Sequence, residues 1–462
     1  MVRKALVVLG LLALVALGGA FMARGRGMVV PGLAAQPLTG LIDRPLASGD
    51  SLILADFARD RCRLVPTNKR QPCYEEILLA TVEKGQVRLA MDALSVLARL
   101  DRSTVRRGHD YAHVVGINAW TPEKEVGPVY DSCTGLYQSG CYHGVVQAFL
   151  DAKGTDSATV YQLCNSIKSA VYNMWLRFQC VHGVGHGLVN NFSLNLPRAL
   201  KGCDWLVDPW DAQSCYGGAF MEFIVAGRGQ SHHPHKKESP APSTAAAGHD
   251  GHSPPAAPGP APGEHAAAGH DPASHEHETA DSFPIRDKTD LLYPCTVLDT
   301  KYQTACYMMQ AGIIIELVGR DFGKIAHACD DAPVSMQPAC YQGVGTYVSG
   351  YVVRDPVKAI DLCSKGDAKL QAWCYVGVVK NFIDVTANPD DGFSFCRRLT
   401  DHAYAVACFN GVGEEMSVLF PAAEEREKQC AKASRDYIEV CRYGANLPAP
   451  RPKDLLPFSP TS

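Results

Sequence analysis

A chain of 462 residues with 46% hydrophobic and 20% charged content is long enough to bury a sizeable core and to form two or three domains. Its formal net charge of −4, with no basic stripe, excludes the electrostatic footprint that phosphate-backbone binding needs, so nucleic acid is not an expected partner.

In chain order, MVRK is followed by an apolar run from Ala5 to Met22 and then by ARGRG. An uncharged run of this length between basic flanks predicts a signal anchor or a long signal peptide over residues 1–27. Gly18-Gly19-Ala20 offers a cleavage site, whereas Arg24 and Arg26 favour retention. In either case the remainder is exported, with the membrane engaged only through this segment. Residues 28–48 read as a linker, and helical repeats with a histidine cluster are expected over 49–227.

Eighteen cysteines begin inside that region and fall into successive pairs: 62/73, 133/141, 164/180, 203/215, 295/306, 329/340, 363/374, 396/408 and 430/441. Seven of the nine are 11 or 12 residues apart, and only 133/141 and 164/180 depart. No C-x-x-C occurs, which argues against thiolate metal sites and covalent haem; disulfides in an oxidising compartment are the expected state. From the second cysteine of one pair to the first of the next the interval is 22 or 23 residues in six cases, as from 141 to 164 and from 374 to 396. The total period is therefore about 34, the range of stacked helical hairpins. Each unit reads as a helix A ending near the first cysteine, a short loop, and a helix B starting at the second. The predicted fold is all-α: an α-solenoid of about ten hairpins, nine with an internal disulfide, interrupted by a disordered His-rich loop.

Helix B carries a consensus, Cys-aromatic-x-Gly, visible in CYHGVVQAFL from 141, CVHGVGHGLV from 180 and CYVGVVKNFI from 374. Glycine stands three residues after the second cysteine at Gly144, Gly183, Gly218, Gly343, Gly377, Gly411 and Gly444. Because glycine within a helix costs about 1 kcal/mol relative to alanine, its recurrence predicts close backbone packing. Each bridge would contribute roughly 3 kcal/mol in the chain-entropy model. One hairpin, between Cys73 and Cys133, has helical periodicity but no cysteine pair; Tyr111 takes the place of the second cysteine, aligning His113 with His143 and His182, and Gly116 with Gly185.

The histidines divide the chain. Two residues after the second cysteine, or after Tyr111, the N-terminal repeats carry Glu75, His113, His143, His182 and Gly217, whereas the C-terminal ones carry Met308, Gln342, Val376, Asn410 and Tyr443. Packing alone would not confine histidine to one half. His109 with His113, and His182 with His186, form H-x-x-x-H pairs, whose members share one helix face as metal ligation requires. Neither is the H-E-x-x-H of zinc proteases. His109, His113, His143, His182 and His186 are therefore the candidate ligands of a transition metal ion (zinc, copper or iron), with Glu222 the candidate catalytic residue, as ligand or general base. Each such residue alone would more often be a polar or satisfied core position. Asp330, Asp331, Glu414 and Glu415 read as solvated faces, and phosphate-loop and serine-elbow motifs are absent.

Residues 228–282 are rich in Pro, Ala, Gly and Ser and hold nine of the sixteen histidines. They read as a disordered loop, either a polar linker or a weak collector of metal. C-terminal repeats are expected over 283–446 and a disordered tail over 447–462.

The period and the A/B pattern resemble tetratricopeptide and Sel1-like α-solenoids over about residues 50 to 445, with C-Y-x-G in place of the usual tetratricopeptide signature. That resemblance implies a concave surface for a peptide or an envelope protein. A likeness to helical-repeat hydroxylases that hold paired irons is architectural only, because the folded repeats contain no His-Glu dipeptide. Two functions are thus in play: an exported, membrane-anchored metal-binding protein, either a binder or a metal-dependent oxidoreductase or hydrolase, and an extracytoplasmic interaction scaffold without a metal site.

Overall fold

The computed structural model of the protein describes residues 38, 40–227, 283–353 and 355–455. The N-terminal apolar segment, the His-rich spacer and the last residues of the tail lie outside the described residues. Among those described, the fold is all-α, with 22 helices and no strand. The chain divides into two compact units, residues 1–111 and 112–462.

The first unit contains α1 (Asp43–Ser48), α2 (Ser51–Cys62), α3 (Arg70–Glu83) and α4 (Val87–Leu100). A short helix thus occupies the end of the expected linker, with Ile42 and Leu46 buried. The unit boundary falls within α5 (Gly108–Ala119). In the unbridged hairpin, Tyr111 is buried and its ring stands edge-on to Tyr74 at 6.2 Å.

The second unit continues with α6 (Val126–Asp131), α7 (Gly140–Lys153), α8 (Ser157–Ser166), α9 (Lys168–Tyr172), α10 (Met174–Asn191), α11 (Leu196–Cys203) and α12 (Pro209–Gly227). After the spacer come α13 (Thr300–Met309), α14 (Ala311–Val318), α15 (Phe322–Asp330), α16 (Gln337–Tyr351), α17 (Pro356–Cys363) and α18 (Gln371–Thr386). The unit ends with α19 (Pro389–Cys396), α20 (His402–Leu419), α21 (Ala423–Cys430) and α22 (Ile438–Gly444).

The short A helices begin where the sequence places a cap. Side chains of Asp156, Asn195, Asp321, Asp355 and Asn388 accept backbone N–H groups at the starts of α8, α11, α15, α17 and α19. Such caps contribute about 1 kcal/mol each. Proline in the first turn of α11, α17 and α19 fits where no intrahelical donor is needed.

All nine disulfides pair the cysteines as the spacing predicts, with Cα separations of 5.6 to 5.8 Å. The tyrosine of the consensus ties the same hairpin a second time. Tyr216 donates to Asp204 Oδ1 at 2.5 Å and Tyr341 to Asp330 Oδ1 at 2.7 Å, in each case the residue after the first cysteine. Asp330 is therefore part of the hairpin lock rather than a solvated face.

The B helices pack side by side in sequence order, α7 on α10, α10 on α12, α12 on α13, α13 on α16, α16 on α18, α18 on α20 and α20 on α22. This is the solenoid arrangement within the second unit. It curves far enough for α10 also to touch α20. Three expectations change. The B helices begin upstream of their cysteines, from Gly140 before Cys141 to Met174 before Cys180, because the loop between the helices is shorter than the cysteine spacing. The hairpin of Cys295 has turns where helix A was expected, and its second helix is interrupted at Gln310. Gln310 Nε2 donates to the carbonyls of Leu291 and Tyr293 at 2.7 and 2.8 Å, satisfying the turn that a helix would have satisfied itself.

Candidate metal centre

The site grows from the periodicity of the B helices. On α10, His182 and His186 are one turn apart on one face. α7 lies alongside and presents His143 from the equivalent of the His182 position. All three are buried, His186 fully, His143 with 2% and His182 with 7% exposure. Their ligand nitrogens all lie within 4.8 Å of one another. The His143 ring stacks on His186 at 5.0 Å between centroids, and His182 stands 5.0 Å from His143 and 5.2 Å from His186.

His113, on the part of α5 that belongs to the second unit, adds a fourth buried ring, 5.5 Å from His186 and 6.3 Å from His143. His109 is half-buried on the part of α5 that belongs to the first unit.

Two polar side chains orient the rings. His186 Nδ1 is 2.7 Å from Glu222 Oε2 on α12, both essentially inaccessible to solvent. His143 Nε2 lies 3.1 Å from Gln179 Oε1, one residue before Cys180. These contacts engage Nδ1 of His186 and Nε2 of His143. Outer hydrogen bonds of this kind fix tautomer and ring orientation and raise ligand basicity. Phe178 closes one flank, 5.3 Å from the His182 ring. At Gly217, where the histidine column ends, a Cβ would sit 3.5 Å from His182 Nδ1, in ordinary van der Waals contact.

The chemistry available is that of imidazole ligation. Every cysteine is bridged, so no thiolate competes, and a clustered set of neutral nitrogens suits zinc, copper or iron rather than calcium or magnesium. A buried His143, His182, His186 triad that could hold a metal ion is what the fold presents.

No family model, curated protein or solved structure matches the chain. Function is therefore argued from the site alone.

In the C-terminal repeats the same columns hold different chemistry. Six residues after the second cysteine, where α10 has His186, α18 has Lys380 and α20 has Glu414. Lys380 Nζ is 2.7 Å from Glu414 Oε2 and 3.9 Å from Glu415 Oε1. The two glutamates are largely covered, not solvated as expected, at 22% and 24% side-chain exposure. Burial, which alone would depress the Lys380 ammonium, is outweighed by these carboxylates, and its pKa is raised. Sequence reasoning missed Lys380 and Gln179. The signal for Gln179 lay in the column before the second cysteine, where Gly140, Ser214, Ala339, Trp373 and Ala407 stand in other repeats.

Proposed function

We propose that this chain is an exported metalloprotein in which His143, His182 and His186 hold a borderline transition ion, with Glu222 orienting His186 and His113 adjoining as a further ligand. The observation that carries this reading is the convergence of three buried ligand nitrogens within 4.8 Å, backed by a carboxylate–histidine pair of the kind that accompanies metal-ligating imidazoles. Nine disulfides fit an oxidising compartment. Export through Ala5–Met22 fits that compartment. Among the described residues no helix is long and apolar enough to cross a membrane, so attachment would rest on that N-terminal run.

With three protein ligands, a fourth position would remain for water or substrate, the arrangement of metal-dependent hydrolases and oxidoreductases. His113, fully buried against His186, favours a second reading in which it fills that position and the ion is structural. In both, Glu222 acts through His186 as a positioning residue.

The test is metal content. Full-length protein made in an oxidising compartment, with the nine spacer histidines replaced by asparagine, should retain stoichiometric zinc or copper after dialysis, measured by inductively coupled plasma mass spectrometry. The His182→Ala, His186→Ala double variant should lose it. Absence of metal from the parent protein would favour the scaffold, in which the three histidines are packing residues.

A further inference from the structure

Glycines sort the helix junctions of the second unit into two kinds. At tight junctions a glycine five residues after the second cysteine meets the carbonyl of the next helix's cysteine. A glycine three after that cysteine meets the carbonyl two residues past the first. Between α10 and α12, a Cβ on Gly185 would lie 2.1 Å from the Cys215 oxygen and one on Gly218 1.9 Å from the His182 oxygen. Between α16 and α18 the same holds for Gly345 and Gly377, both at 1.9 Å, and between α20 and α22 for Gly413 and Gly444, both at 2.2 Å. Gly116 and Gly144 repeat the pattern at 2.0 and 2.2 Å. No Cβ fits at such distances, so the backbones touch.

Two junctions break the pattern in the same way. Five residues after the cysteine, α7 carries Val146 and α18 carries Val379. The facing glycines meet no carbonyl there: a Cβ on Gly183 would lie 3.1 Å from both Val146 Cβ and the His143 Cα, and one on Gly411 3.3 Å from Val379 Cγ1. The α12–α13 junction follows neither pattern, and α13–α16 keeps half of the tight one: a Cβ on Gly343 would lie 2.2 Å from the Met308 oxygen, while Ala311 stands five after Cys306. Both valine-spaced junctions are crossed by a polar cluster. His143 faces His182 and His186 across α7–α10, and Lys380 faces Glu414 and Glu415 across α18–α20. No disulfide can do this work, because each closes a stretch of 8 to 16 residues inside one hairpin.

We infer that the metal ion is a clasp: bound by His143 from α7 and by His182 and His186 from α10, it joins the one histidine-bearing junction that lacks the glycine-to-carbonyl contacts of the tight junctions. This rests on the metal reading above. An ion whose ligands come from two helices binds only the state in which the helices are together, and so holds that state in proportion to its occupancy. α10 remains docked to α12 by the Gly185 and Gly218 contacts, so release of the ion loosens the α7 side of the stack and leaves the rest in place.

Hydrogen–deuterium exchange on the full-length protein tests this, comparing zinc-loaded samples with chelator-stripped ones at one pH and measuring zinc in each. Stripping should speed amide exchange in α7, and in α10 around Gly183, by roughly 10- to 100-fold, leave α12, α16 and α18 unchanged, and be reversed by zinc. His143→Ala removes the α7 ligand but keeps the α10 pair, and its exchange should no longer respond to zinc. Zinc that leaves without changing exchange, or that changes it equally throughout, overturns the clasp while sparing the metal reading. Zinc that never binds removes both.

Discussion

Between α7 and α10, and again between α18 and α20, a valine stands where other junctions place a glycine, yet the groups laid across the gap differ. Lys380 brings a positive charge to Glu414 and Glu415, so that junction is closed by the chain itself. His143, His182 and His186 are nitrogen donors gathered beside the Glu222 carboxyl group, an arrangement that a cation completes. Polar groups cross a glycine-docked junction too, as His186 meets Glu222 between α10 and α12; at the two valine-spaced junctions the residues two and six places after the cysteine decide whether the bridge is internal or borrowed from solution.

The largest expected effect breaks the distinction between junctions. Gly218→Ala places a methyl 1.9 Å from the His182 oxygen and should cost about 3 to 5 kcal/mol through overpacking. Gly411→Ala meets side-chain methyls instead, Val379 Cγ1 at 3.3 Å and Val376 Cγ1 at 3.5 Å. It should fall within about 1 kcal/mol of neutral, because alanine recovers about that much helix propensity. Calorimetric Tm values of the two variants, with disulfides intact, decide it; equal losses would remove the difference between touching and spaced helices.

Next in size, Glu222→Gln keeps the shape but withdraws the charge behind His186, and zinc affinity should fall about 10- to 100-fold, read by competition with a chromophoric chelator. Unchanged affinity would detach Glu222 from the site. Lys380→Met takes the ammonium away from Glu414 and Glu415 and should cost about 1 to 2 kcal/mol, between the values for exposed and buried pairs. A chelator should change that cost by nothing measurable, whereas it should destabilise the parent protein.

Part of this contrast was legible in the residues. The cysteine intervals carried the hairpins, because a local bridge imposes its spacing on the chain, and the confinement of histidine to one half carried His113, His143, His182 and His186. The docking glycines three after the cysteine were visible, but Gly345 and Gly413 escaped notice because their partners, Cys374 and Cys441, are backbone atoms of another repeat. Lys380 was hidden for a similar reason: its meaning depends on which residue the next helix sets opposite. The missing helix before Cys295 turned on Gln310, whose side chain reaches back to Leu291 and Tyr293, a tertiary bond without a local pattern.

The smallest effect is also the one that separates the two junctions most cleanly. Burial pushes the Glu415 carboxyl up to about 7, against the pull of Lys380 and with Asp384 and Glu414 adding to it; burial alone pushes Asp384 up to about 6. Both are raised above their ordinary values, so the folded state holds protons that the unfolded chain releases. The stability they contribute is complete below the ordinary carboxylate range and is lost as pH rises through 6 and 7. Between pH 5 and pH 8 the Tm should therefore fall by on the order of a few degrees from this source, and the Asp384→Asn, Glu415→Gln variant should flatten that slope. Zinc at α7–α10 runs the other way, since protons compete with metal for imidazole as pH falls. Exchange rates, corrected for intrinsic chemistry, should thus show acid tightening α18 against α20 while it loosens α7 from α10. A common pH response at both junctions would mean that they are bridged by the same kind of interaction.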